Sequence, residues 1–224
     1  MSARISSYGD WLIYNEIFVA REYDRALAIA LDFAARENSP IHIVDFGANV
    51  GFFTMRAVQE LRRAEMAGRD FTITAVEANA GCAEDFRTRI FGENGLSDSV
   101  TLAQGLIGER SGTAPFYENS LFQHGGYRRV DLSYIDLSAL LAATPRIDLL
   151  KCDIEGAELL LLENYPDLFH KTRVAIFEFH PYLCDVERCR RLLEEYGLTR
   201  QEMFRTSRDT SIYAVWREPE TSGR

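Results

Sequence analysis

The chain has 224 residues, of which 46% are hydrophobic and 26% charged, enough for a domain that buries about 70% of its unfolded surface without a disulfide or metal staple. Its formal net charge of −9 opposes broad binding to nucleic acid or to an anionic membrane, since both need basic surface. Nowhere do 18 apolar residues run together, so no membrane span is expected; Met1 to Asp10 lacks a basic-then-apolar leader pattern, and the expected compartment is the cytoplasm.

Trp11, Leu12, Tyr14, Ile17 and Phe18 recur at helical spacing, and a second helix is predicted from Asp24 to Arg36. Asn38-Ser39-Pro40 breaks the chain, and a short β-branched run, Ile41 to Val44, leads into Asp45 and a glycine-bearing turn. A helix is predicted from Phe52 to Met66, a strand from Phe71 to Val76, a helix from Cys82 to Phe91 and a strand from Val100 to Ala103. Between Gly108 and Leu137 the rhythm breaks, with short strands expected at Ala114 to Tyr117 and Arg129 to Tyr134. Alternation resumes with strand Ile147 to Cys152, helix Glu155 to Asn164, strand Arg173 to Phe179 and helix Glu187 to Tyr196. Two last strands, Thr199 to Phe204 and Ile212 to Trp216, are joined by a short connection that predicts an antiparallel pair at one edge.

Strands alternating with helices predict an α/β fold, a mostly parallel sheet covered on both faces. Ligands of such sheets bind beyond the carboxyl ends of the strands, so Asp45, Glu77, Gln104, Asp153 and His180 mark the rim to examine.

The first turn reads Asp45-Phe46-Gly47-Ala48-Asn49-Val50-Gly51. A dinucleotide fingerprint would be G-x-G-x-x-G, with pyrophosphate on the helix amino end. This turn lacks G-x-G and opens on a carboxylate, which opposes pyrophosphate and suits a ligand with an ammonium and a cationic sulfur. S-adenosylmethionine has both. Glu77, ending the second strand, is placed to accept two ribose hydroxyls; a nicotinamide enzyme would also have an acid there, so only its pairing with Asp45 discriminates. The competing explanation is that both acids merely cap the helices that follow them.

These segments resemble the FkbM-type methyltransferases. The match runs roughly from Ile41 to Pro181 and includes Val44-Asp45-Phe46-Gly47-Ala48-Asn49-Val50-Gly51-Phe52-Phe53-Thr54, Val76-Glu77-Ala78-Asn79, and the turn Ile107-Gly108-Glu109-Arg110-Ser111-Gly112. Its most specific piece is Ile147-Asp148-Leu149-Leu150-Lys151-Cys152-Asp153-Ile154-Glu155-Gly156-Ala157-Glu158, followed by Glu178-Phe179-His180-Pro181. The resemblance implies a Rossmann-like, seven-stranded class I fold with an antiparallel edge strand. It implies methyl transfer from S-adenosylmethionine to oxygen in most cases, on natural-product or sugar hydroxyls, with nitrogen acceptors open. It places Asp45, Gly47, Ala48, Asn49 and Gly51 at the methionine end, Glu77 and Ala78 at the ribose, and Gln104, Gly105 and Leu106 at the adenine. Leu106 stands where a smaller residue is the family's habit. Residues 1–40 would be a helical extension covering the acceptor site, ahead of a methyltransferase domain over 41–224.

Methyl transfer to an alcohol benefits from a base that takes the acceptor's proton. His180 is the first candidate, because imidazole titrates near neutrality; its alternative is a turn-stabilising role ahead of Pro181. Asp153 is placed beside both cofactor and acceptor, and Glu155 joins the catalytic set. Helix-dipole stabilisation suffices for Glu158, and Glu178 is a supporting group. Tyr8, Trp11 and Tyr14 could wall the acceptor site but suit packing equally, and His124 reads as a loop residue. No metal is expected, on the rim or at Cys184 and Cys189, where a fourth zinc ligand is missing. A nicotinamide oxidoreductase and a non-catalytic cofactor-binding module are the rival readings.

Overall fold

A computed structural model describes residues 1–37, 39–63, 68–119, 127–206 and 209–218; Met66, His124, Gly125 and Gly126 lie outside them. In chain order the elements are α1 (Tyr8–Tyr14), running into a π-helical turn (Asn15–Ala20), α2 (Asp24–Glu37), β1 (Ile41–Phe46), α3 (Phe52–Arg63) and β2 (Phe71–Glu77). Then come α4 (Ala80–Phe86) with a π-helical end (Arg87–Glu93), β3 (Val100–Gln104), β4 (Thr113–Asn119), β5 (Tyr127–Ser133), α5 (Leu137–Leu140) and β6 (Ile147–Cys152). The chain closes with α6 (Glu158–Asn164), α7 (Pro166–His170), β7 (Thr172–Phe179), α8 (Val186–Glu195), β8 (Arg200–Thr206) and β9 (Ser211–Trp216).

Seven strands form one sheet in the order β3-β2-β1-β6-β7-β9-β8. The five from β3 to β7 are parallel, and β9 pairs antiparallel with both β7 and β8. Strand order reverses between the parallel neighbours β1 and β6, so the crevice over their carboxyl ends is the topological switch point. The irregular stretch is a separate two-stranded antiparallel ribbon, β4 with β5. Gly105 to Ile107 tie it to the sheet: the Leu106 amide donates to the Ser133 carbonyl (2.9 Å) and the Ile135 amide to the Leu106 carbonyl (2.9 Å).

Alternate strand residues feed opposite faces. Ile41, Ile43, Leu149 and Val174 pack with Leu27, Ala30 and Ala34 of α2 and with Met55 and Val58 of α3. Val44, Phe46, Leu150 and Phe177 pack with Leu161, Leu192 and Leu193 on the other side. Asp148, the residue that interrupts the apolar run of β6, is fully buried because it accepts from the His42 amide (2.9 Å) and the Arg146 guanidinium (2.9 Å).

Two expectations change. The helix predicted from Glu155 begins at Glu158, since Glu155 (φ 55°) and Gly156 (φ 101°) adopt left-handed backbone that helix cannot continue. The helix predicted over Cys82 to Phe91 starts at Ala80 under an Asn79 cap and widens into a π-turn at Arg87. Among the described residues no helix is long and apolar enough to cross a membrane.

Candidate active site

The glycine turn after β1 arches back over the sheet. Gly47 and Ala48 both donate to the Val76 carbonyl (3.0 Å each), and Gly47 (φ 72°), Asn49 (φ 50°) and Gly51 (φ 91°) are all left-handed. Gly47 is obligatory on a second ground: a Cβ there would lie 1.7 Å from the Asp153 carbonyl oxygen.

Glu77 ends β2 beside that turn. Its Oε2 accepts from the Asn49 amide (2.8 Å) and its Oε1 from the Asn79 amide (2.7 Å), while β2 carries it alongside Gln104 of β3. Capping does not explain it, because Asn79 is the residue that caps α4, through the Gly81 and Cys82 amides. Burial raises its pKa, and the two amides and Lys151 oppose that rise. Each carboxylate oxygen uses one acceptor site on an amide and keeps another for a hydroxyl. The acceptor pair at this edge therefore fits a ribose diol, with Ala78 half-buried beside it and Gly105 donating to the Glu77 carbonyl (3.1 Å).

Asp45 requires a correction. It was expected to line the methionine end, yet its side chain is fully buried beneath the turn. Oδ2 accepts from the Thr54 hydroxyl (2.8 Å), and Oδ1 lies 3.6 Å from Lys151 Nζ with no hydrogen-bond partner. Burial raises its pKa and Lys151 is the main counterweight. Asp45 reaches the site only through Lys151, whose Nζ donates to the carbonyls of Phe46 (3.2 Å) and Gly47 (2.6 Å) and sits 3.7 Å from Asp153. The sequence pattern contained Lys151 without assigning it a task.

At the ends of β6 and β7, Asp153, Glu155 and His180 converge, with one donor atom from each lying within 4.8 Å of the others. His180 is 6% exposed; its Nε2 is 3.3 Å from Glu155, and its Nδ1 is buried without a partner. The backbone carbonyl of His180, not its ring, holds the following turn, accepting from Leu183 (2.8 Å) and Cys184 (3.1 Å). Chemically, this donor set could hold a divalent cation or a proton in flight. Glu158 is turned away: it is fully buried and its Oε1 accepts from the Ile154 (3.3 Å) and Gly156 (3.2 Å) amides, tying down the turn ahead of α6.

A cavity of about 50 Å³ opens between this rim and the amino-terminal helices, lined by Gly47, Ala48, Asn49, Lys151 and Asp153 below and Ile13, Glu16, Ile17 and Tyr23 above. Tyr23 donates to Glu178 (3.1 Å), whose pKa is pushed up to about 7 by burial and by the Asp153 charge. Glu16 is likewise raised, by burial and by Glu22. Glu16 and Tyr23 carry no motif, and only their packing reveals them. Of the aromatic residues weighed for this wall, Tyr8 and Trp11 are 69% and 48% exposed and stack on one another, while Tyr14 packs against Phe18 and Phe52.

Comparison with known proteins agrees with this architecture. The FkbM methyltransferase domain model matches residues 45–199, whereas no curated protein matches the sequence. Magnesium protoporphyrin IX methyltransferase (ChlM) from Synechocystis PCC 6803, solved with bound SAM, superposes with a TM-score of 0.53 at 14% identity, over 97% of this chain and 87% of that one. Methyltransferase FkbM from Methylobacillus flagellatus KT gives a TM-score of 0.53 at 16% identity, over 78% of this chain and 43% of that one. At these identities the structures establish the shared class I methyltransferase fold, and the sequence model establishes the lineage: this chain belongs to the FkbM methyltransferase family.

Proposed function

We propose that the protein transfers a methyl group from S-adenosylmethionine to a hydroxyl of a small molecule, a natural product or sugar. The observation that carries the cofactor is Glu77, a carboxylate with acceptor capacity to spare, held against a glycine turn that lacks G-x-G in a chain of the FkbM methyltransferase family. In this reading Gly47, Ala48, Asn49 and Gly51 cradle the methionine end, Glu77 and Ala78 the ribose, and Gln104, Gly105 and Leu106 the adenine. When bound, the cofactor supplies an electrophilic methyl on a cationic sulfur.

Asp153 orients the acceptor beside the turn, and His180 takes the proton that the hydroxyl gives up. Glu155, 3.3 Å from the ring, stabilises the resulting imidazolium. Positioning supplies most of the rate and the base about a hundredfold or more. Residues 1–40 form the cover of the acceptor site in this scheme, because Ile13, Glu16 and Ile17 face the cavity from above. An amine is the second acceptor class, favoured by the acids Glu16 and Asp153 in that lining. A cytoplasmic setting accords with the four free thiols, Cys82, Cys152, Cys184 and Cys189.

Calorimetry with S-adenosylmethionine, followed by assay of S-adenosylhomocysteine release over a panel of small hydroxyl and amine compounds, tests the reading. Binding together with product release on a hydroxyl compound is expected. No binding at millimolar cofactor would overturn it.

A further inference from the structure

Lys151 is a buried cation that the chemistry above leaves without a task. It is 4% exposed, and the cavity it lines has only acids, Glu16 and Asp153, for its other charged groups. Its ammonium stands between two carboxylates, 3.6 Å from Asp45 and 3.7 Å from Asp153, and donates to the carbonyls of Phe46 and Gly47, where the glycine turn begins. Burial alone would discharge a lysine, but the two acids outweigh it and hold the group charged.

Uncompensated, two carboxylates at this site would stabilise a cationic cofactor more than the transition state, in which that charge is being lost. Such ground-state stabilisation opposes catalysis. We propose that Lys151 offsets one of the two negative charges of Asp45 and Asp153, so that the site prefers the sulfonium cofactor over its neutral thioether product less than the acids alone would make it. This assignment rests on the S-adenosylmethionine reading. The plain alternative makes Lys151 a strut for the turn, through its bonds to Phe46 and Gly47.

Binding of S-adenosylmethionine and S-adenosylhomocysteine to the full chain, measured by calorimetry at pH 8, separates the two. The wild-type protein should bind both, and its ratio of the two dissociation constants is the reference. Lys151→Met should shift the ratio about ten- to thirtyfold toward S-adenosylmethionine, the size of one charge acting over roughly 8 Å at an effective dielectric of about 20. Lys151→Arg, which keeps the charge, should restore the wild-type ratio. Asp153→Asn should shift it the opposite way, toward the product, and decides the matter if Lys151→Met does not fold. Equal weakening of both ligands in Lys151→Met would establish the strut and overturn the proposal, as would an unmoved ratio in Asp153→Asn. A wild-type chain that binds neither ligand refutes the cofactor reading itself.

Discussion

Glu77 accepts two backbone amides that belong to the turn and to the start of α4, so its removal should loosen that turn and, under the proposed function, weaken the cofactor's hold. Glu77→Ala is expected to weaken S-adenosylmethionine binding by about 1.5–3 kcal/mol, the range for hydrogen bonds to a charged group. Calorimetry on the folded variant checks this, and an unchanged dissociation constant would remove Glu77 from the site. Gly47→Ala should be more severe, because the added methyl meets the Asp153 carbonyl and the backbone is left-handed. We expect a loss of about 3 kcal/mol or more in denaturant unfolding. Glu178 offers a pH test. Its value of about 7 lies above the ordinary 4.5, so the folded chain holds the proton that the unfolded chain releases, and stability falls as pH rises through that interval. The full gap corresponds to about 3 kcal/mol, reduced to about 1–2 kcal/mol by partial exposure and screening. Glu178→Gln should therefore stabilise the protein relative to wild type at pH 8 and leave it near wild type at pH 4.5. A difference that does not grow with pH would contradict this assignment.

At the scale of elements, the amino-terminal helix, which borders the cavity, is anchored by an arginine distant in sequence. Arg89, in the π-helical end of α4, is fully buried; it donates to Asp10 (2.6 Å), to Ser6 (3.1 Å) and to the Arg4 carbonyl, and it packs over the Phe52 ring. Breaking a buried pair costs about 3–5 kcal/mol when the remaining charge is left uncompensated, and Asp85, 3.6 Å from Arg89, holds the loss toward the lower end. Asp10→Ala should lower stability by that order while leaving β1 to β3 folded, and hydrogen exchange should show faster exchange concentrated in residues 1–20. Uniform exchange across the chain would count against a local anchor. Element existence was widely legible: α2, β1, β2, β6 and β7 follow from apolar periodicity and flanking breakers. The π-turns, the short helices α5 and α7, and the delayed start of α6 were not. The start of α6 depends on left-handed Glu155, which lets Glu158 accept from Ile154 and Gly156.

For the whole molecule, a ligand bound only by the folded state should raise its melting temperature. At a hundredfold excess over the dissociation constant the gain is about 2.7 kcal/mol, or roughly 5–10 °C for a chain of this size. Differential scanning fluorimetry with S-adenosylhomocysteine checks this, and no shift at millimolar ligand would speak against the site. Alternation of strands and helices sufficed to place Glu77, Asp153 and His180 on one rim, because a right-handed parallel crossover returns every strand end to the same edge. Local sequence also determined the glycine turn, whose left-handed positions only certain residues tolerate. Tertiary structure alone decided which charges are buried and what they face. Asp45 lies under the turn, Lys151 stands between two acids, Arg89 is buried against Asp10, and Glu16 and Tyr23 line the cavity. A charged side chain enters the interior only when partners from elsewhere in the chain satisfy it, and that condition is written in the contacts, not in the run of residues around it.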